Sequence, residues 1–180
     1  MRHDLFSTPV WHIEETPQKL VDELYQGAYK VKKKYPSNQM TNCGGYQSPA
    51  FEWEEFHPQG RKYITHTLKE AFAGEFTNAS FPVVDYKVSV WWYNINNQAH
   101  WNIPHTHPKS DLALVLYLTD SDGLLTLFNP HAQRGIDKQN TSLNAKKGNI
   151  IIFPSDLIHY VMPNQKEEDR ISISMNLQLW

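Results

Sequence analysis

The segment that most constrains this chain is its last strand-like stretch. From Arg170 to Leu179 polar and apolar residues alternate without a break. Arg170, Ser172, Ser174, Asn176 and Gln178 fall on one face, and Ile171, Ile173, Met175, Leu177 and Leu179 on the other. A period of two held over this length is a β-strand with one face on a core. Leu112, Leu114, Leu116 and Leu118 repeat the pattern upstream, leaving Ala113, Val115, Tyr117 and Thr119 for the opposite side.

Further strands are expected from Val83 through the aromatic cluster Trp91-Trp92-Tyr93, over Leu124 to Phe128 and over Ile150 to Phe153. Two helices precede them. Thr16-Pro17 reads as an N-cap followed by proline at the first helical position, and Leu20, Val21, Leu24, Tyr25, Ala28 and Val31 keep helical spacing. Lys32, Lys33 and Lys34 close that helix as a solvated end where cations suit the macrodipole. A second helix fits between Lys62 and Phe76, with Ile64, Leu68, Ala71 and Phe72 on one face. Helices followed by many strands predict a mainly β fold, a sandwich or jelly-roll with N-terminal helices packed outside it.

With 180 residues and no linker or repeat, the chain suits one domain. Residues 1–80 would form a helical and extended support region, and 81–180 the β core. A formal net charge of -2 argues against a nucleic-acid partner. Cys43, the single cysteine, excludes an intrachain disulfide and suits a reducing compartment; it is expected to be part-buried. No leader-like or membrane-length apolar run is visible, so a soluble, cytoplasmic protein without a membrane partner is expected. An exposed sheet edge would allow a homodimer.

Three histidines and an arginine carry the chemistry. On a strand His105 and His107 would point into one cavity while Thr106 points out, with Pro104 and Pro108 stiffening the segment. His159 follows Phe153-Pro154-Ser155 at the far end of another strand and turn. Neutral imidazole suits iron, zinc, copper and nickel; hydrogen-bonded loop histidines are the alternative. Arg170 and Ser172 project side by side, a guanidinium fork plus hydroxyl that can hold a carboxylate. Otherwise they form a solvent-facing edge with Arg170 paired to Asp169 or Glu168. Tyr117 either offers its hydroxyl to the same carboxylate or packs in the core. Asn94, Asn102 and Trp92 are candidate substrate-facing residues, while Asn96 is ordinary turn chemistry or a further contact. His100 and Trp101 line the mouth or a surface loop, His131 with Arg134-Gly135 suggests an entrance loop, and His57 and His66 are structural.

Several segments together resemble the 2-oxoglutarate/Fe(II)-dependent dioxygenase superfamily, and within it a small oxygenase group of phages and marine bacteria. They are Phe6-Ser7-Thr8-Pro9-Val10-Trp11, Gly44-Gly45-Tyr46-Gln47-Ser48, Trp92-Tyr93-Asn94-Ile95-Asn96 and Asn102-Ile103-Pro104-His105-Thr106-His107-Pro108. Phe153-Pro154-Ser155-Asp156-Leu157-Ile158-His159 and Arg170-Ile171-Ser172-Ile173-Ser174-Met175-Asn176 follow in the same order. The resemblance implies a double-stranded β-helix (jelly-roll, cupin-like) and a hydroxylase that couples oxidative decarboxylation of 2-oxoglutarate to succinate with oxidation of a small-molecule or peptidyl substrate by molecular oxygen. It implies His105 and His159 as Fe(II) ligands and Arg170, with Ser172 and Tyr117, as the anchor of the distal carboxylate. The wider superfamily has H-x-[DE] where this chain has His105-Thr106-His107. An all-histidine triad leaves Fe(II) one negative charge short. Asp111 is the alternative third ligand, with His107 then orienting a ligand. Two other readings stay open: a three-histidine cupin-type metalloprotein that does not use 2-oxoglutarate, and a catalytically inactive binding module.

Overall fold

The computed structural model describes residues 7–73, 85–120, 124–132 and 138–180. Its elements, in chain order, begin with β1 (Trp11–Ile13), α1 (Gln18–Lys34), β2 (Asn42–Cys43), β3 (Tyr46–Gln47), β4 (Phe51–Glu52) and α2 (Pro58–Ala71). There follow β5 (Tyr86–Asn96), β6 (Trp101–His105), β7 (Leu112–Tyr117), β8 (Leu125–Phe128), β9 (Asn140–Leu143), β10 (Ile150–Pro154), β11 (His159–Val161) and β12 (Arg170–Leu179). A major sheet runs β1-β10-β7-β12-β5-β3, with β4 also on β5, and a minor sheet runs β2-β6-β11-β8-β9. The pairings are antiparallel. This is the expected double-stranded β-helix.

The alternating patterns sort the core into two layers. Leu112, Leu114, Leu116 and Leu118 join Ile171, Ile173, Met175 and Leu177 on the helix-facing side of the major sheet, under Leu20, Val21, Leu24 and Ala28 of α1 and Ile64 and Leu68 of α2. Each of the leucine, isoleucine, valine and methionine side chains contributes about 1.5–3 kcal/mol by leaving water. Ala113, Val115 and Tyr117 face the minor sheet and pack with Leu125, Leu127, Phe153 and Leu157. The strands from the first eighty residues extend both sheets, β1, β3 and β4 the major one and β2 the minor.

Helix boundaries differ from the sequence expectation. Pro17, not Thr16, is the N-cap of α1, and its carbonyl accepts from Val21 N at 3.1 Å; Thr16 is buried instead. The α2 helix begins at Pro58, four residues before the expected Lys62. Proline suits its first turn, and His57 Nδ1 accepts from Gly60 N at 3.4 Å. The apolar face appears only at Ile64, which is why spacing alone starts the helix late. The expected end, Phe76, lies outside the described residues; the helix closes at Ala71. No helix among the described residues is long and apolar enough to cross a membrane.

Candidate metal and oxo-acid site

Between the two sheets lies a cavity lined by Trp92, Asn94 and Asn96 of β5, His105 of β6, His159 of β11, and Arg170, Ser172 and Ser174 of β12. Asn102, His107, Val115, Tyr117, Leu125, Val161 and Thr41 complete the wall. Pairing of β11 with β6 sets His159 directly opposite His105. His107 arrives differently from the sequence expectation, because β6 ends at His105 and His107 belongs to the following loop. Strand parity therefore does not aim it. Its backbone N instead donates to Ser155 O at 2.8 Å, and Ser110 Oγ donates to its carbonyl at 2.8 Å. The Ser155 hydroxyl donates to Ser110 O, closing the clamp.

The ligand atoms of the three histidines lie within 4.8 Å of one another, a group that could hold a metal ion. Their opposite nitrogens are all engaged. His105 Nδ1 donates to Ile103 O at 2.7 Å and His159 Nδ1 to Leu157 O at 2.9 Å; carbonyls only accept, so both rings carry their proton on Nδ1. His107 Nδ1 lies 2.6 Å from Asn176 Oδ1. With that oxygen as acceptor, the Nε2 lone pairs of His107 and His159 face each other at 3.3 Å, a juxtaposition that a cation relieves. Burial pushes all three imidazoles below their ordinary range, His107 to about 4 and His159 to about 3, with the neighbouring histidine charges acting in the same direction on those two. The rings are thus neutral near pH 7, the form that binds metal. Trp92 stacks on His107 with ring centroids 5.4 Å apart and planes 26° apart.

A cationic end lies further along β12. Arg170 is 4% exposed, so the solvent-facing alternative does not hold. Its Nη1 donates to Met162 O at 2.7 Å and Nη2 lies 3.5 Å from His100 O, which orients the guanidinium. Asp169 accepts from Tyr29 and Asn97. Ser172 sits between Tyr117 of β7 and Asn94 of β5 in the sheet register. Tyr117 is 2% exposed and its hydroxyl has no partner among the described residues. Burial pushes its phenol up, against the opposing pull of the Arg170 charge. A buried guanidinium, a serine and an unsatisfied hydroxyl suit a carboxylate, whose oxygens accept from all three.

Asn94, Asn102 and Trp92 all line the cavity, as does Asn96. Asn94 Nδ2 donates to Ser174 Oγ at 3.0 Å, Asn96 Nδ2 to Asn102 Oδ1 at 2.9 Å, and Asn102 Nδ2 to Thr41 Oγ1 at 3.2 Å. Asp111 lies elsewhere: it is exposed and its carboxylate accepts from Leu179 N at 2.8 Å. Cys43 is exposed rather than part-buried, since it lies at the end of the two-residue strand β2 on the rim of the minor sheet. His57 caps α2 and pairs with Glu23 at 3.5 Å, a structural role. Arg134-Gly135 lies outside the described residues. Sequence reasoning singled out neither Thr41 nor Asn176; the latter shares the face of Arg170 on β12, which was the available signal.

Residues 90–176, from β5 through β12, match the family model described as "Putative 2OG-Fe(II) oxygenase". This stretch is similar in sequence to the 2-oxoglutarate/Fe(II)-dependent oxygenases. Every residue of the cavity wall except Thr41 falls within that matched span. No curated protein matches this chain in sequence. Solved structures agree in fold. A prolyl-4-hydroxylase from Pseudomonas putida is 13% identical with a TM-score of 0.69, covering 96% of this chain and 93% of its own. The viral collagen prolyl hydroxylase of Paramecium Bursaria Chlorella virus-1, solved with 2-oxoglutarate, is 17% identical with a TM-score of 0.65, covering 93% and 94%. HygX from Streptomyces hygroscopicus, solved with nickel and 2-oxoglutarate, is 9% identical with a TM-score of 0.66, covering 95% and 83%. At such identities these likenesses carry the double-stranded β-helix. The matched family takes its description from Fe(II) and 2-oxoglutarate.

Proposed function

We propose that His105, His107 and His159 bind Fe(II) through Nε2, and that Arg170, Ser172 and Tyr117 hold the distal carboxylate of 2-oxoglutarate, in a hydroxylase acting on a small-molecule or peptidyl substrate. The observation that carries this reading is the convergence of three Nε2 atoms whose rings are already bonded at Nδ1, in one cavity with a buried arginine. Fe(II) and 2-oxoglutarate together supply the oxidation: one oxygen atom of O2 enters succinate as 2-oxoglutarate loses CO2, and the other enters the substrate.

The chain's own residues do the positioning. Carbonyls of Met162 and His100 aim the Arg170 guanidinium before any ligand arrives, so little ordering remains for binding. Ser172 and Tyr117 add donors to the same carboxylate, and the buried phenol stays protonated as a donor. The strand β12 links the two functions, running from Arg170 at the carboxylate end to Asn176 beside His107. Val115, Leu125 and Val161 give the cavity apolar wall that limits water near the reacting atoms. Trp92, Asn94 and Asn102 are proposed to face the substrate.

The test is an anaerobic titration of the Fe(II)-loaded protein with 2-oxoglutarate, following the visible metal-to-ligand charge-transfer band. A saturable band that weakens in Arg170→Ala, with iron still bound, is expected. An unchanged titration in Arg170→Ala would refute the assignment of that residue. No band from iron-loaded parent would favour a three-histidine metalloprotein that does without the oxo acid.

A further inference from the structure

Three histidines converge, yet only two have their protonation pattern dictated by the backbone. His105 and His159 each donate from Nδ1 to a carbonyl two residues upstream, and a carbonyl cannot reverse its role. The Nδ1 partner of His107 is the side-chain amide of Asn176, 2.6 Å away. An amide has two ends. With Oδ1 toward the ring, the proton sits on Nδ1 and the Nε2 lone pair faces the other histidines. With Nδ2 toward the ring, the proton moves to Nε2 and points at His159 Nε2, 3.3 Å off, forming an imidazole–imidazole hydrogen bond that closes the site.

We infer that Asn176 is a positioning residue whose side-chain oxygen selects the Nδ1–H tautomer of His107 and so makes the third imidazole available to the metal. This rests on the reading of the three histidines as the metal site. The surroundings hold both partners in register. The pairing of β12 with β5 shifts between Asn176 and Leu177, and Ser89 Oγ donates to the Asn176 carbonyl at 3.2 Å. Such an irregularity re-aims side chains next to functional sites. On the other side Trp92 stacks on the His107 ring and Ser155 holds its backbone. Ring plane and position are thereby set, and the amide decides the remaining variable, which nitrogen bears the proton. Outer partners of this kind orient metal-bound histidines and raise their basicity. A neutral amide does so without adding the negative charge that an all-histidine triad lacks.

The experiment is a Co(II) titration of the full chain, reading affinity and the visible d–d bands, for the parent, Asn176→Leu, Asn176→Asp, His107→Ala, His159→Ala and the Asn176→Leu/His107→Ala double variant. Leucine removes the acceptor at similar volume, and Co(II) affinity is expected to fall roughly 10- to 100-fold with bands shifted toward those of His107→Ala. Aspartate keeps an acceptor and is expected to bind at least as tightly as the parent. In the His107→Ala background the leucine substitution is expected to do nothing further, because Asn176 acts through that ring. Parent-like binding by Asn176→Leu, aspartate as weak as leucine, or an undiminished leucine effect without His107 would each overturn the inference alone. Co(II) binding that survives His159→Ala undiminished would instead overturn the reading of the triad, and this inference with it.

Discussion

Replacing Tyr117 by phenylalanine removes one oxygen atom and is expected to move two quantities in opposite directions. The side chain is 2% exposed and its hydroxyl finds no partner among the described residues, so the ligand-free protein carries a buried polar group that burial penalises. A stranded group of this kind costs about 1–3 kcal/mol. Its removal is expected to stabilise the ligand-free protein by about 1 kcal/mol, the low end, because the ring keeps its packing against Ala113, Val115 and Leu125. For a chain of this length that raises Tm by about 2–4 °C. The same oxygen is a proposed donor to the carboxylate beside Arg170. Losing a hydrogen bond to a charged group costs about 1.5–3 kcal/mol, or roughly 10- to 150-fold in the Kd for 2-oxoglutarate. Thermal unfolding of metal-free protein and calorimetric titration of anaerobic Fe(II) protein measure the two numbers separately. A lower Tm together with unchanged 2-oxoglutarate affinity would show that the hydroxyl serves packing and does not face the carboxylate.

Other expectations concern the metal end and the scaffold. His159→Ala is expected to abolish Fe(II) binding, whereas Asp111→Asn leaves it unchanged, since that carboxylate is occupied with Leu179 N; equilibrium dialysis decides, and a large loss in Asp111→Asn would return it to the ligand set. Acid should destabilise the metal-free protein. The folded-state values of His107, about 4, and His159, about 3, lie below the unfolded value of about 6.5. Between these limits the unfolded chain binds more protons, so stability falls as pH drops below about 6.5. A Tm–pH slope that is the same in the parent and in a His107→Gln/His159→Gln variant would contradict this. In α1, a Cβ on Gly27 would sit 2.7 Å from Tyr93 Oη, whose hydrogen bond to Leu24 O spans 3.0 Å. Gly27→Ala is therefore expected to lower Tm despite the better helix propensity of alanine, and a raised Tm would show that Tyr93 moves aside freely.

Part of this protein is legible without coordinates. Strict alternation bounded β12 correctly at Arg170 and Leu179, and the leucines of β7 were assigned to the right face. A buried strand has to present opposite faces to chemically different surroundings, and that requirement is written residue by residue. The short strands β2, β3 and β4 are too brief to show a period, and β9 is mostly exposed and polar; their existence follows from the neighbours that pair with them. The start of α2 escaped because its cap is a histidine and its apolar face begins a turn later.

At the site the division is the same. The sequence by itself determined the residue types, three imidazoles, one guanidinium and a face of small polar groups along one strand, and through them the likeness to a family. Only the tertiary structure decided how His107 reaches the cavity. It lies beyond the end of β6, where parity no longer applies, and a clamp from the neighbouring Ser110 and from Ser155, distant in the chain, fixes it. Tertiary contacts likewise turned Asp111 toward β12 and brought Asn176 to the third imidazole across 69 positions of chain. Periodicity reports which way a side chain points relative to its own element. Which groups then meet depends on how separate strands register and how loops close, and those contacts exist only once the two sheets have packed together.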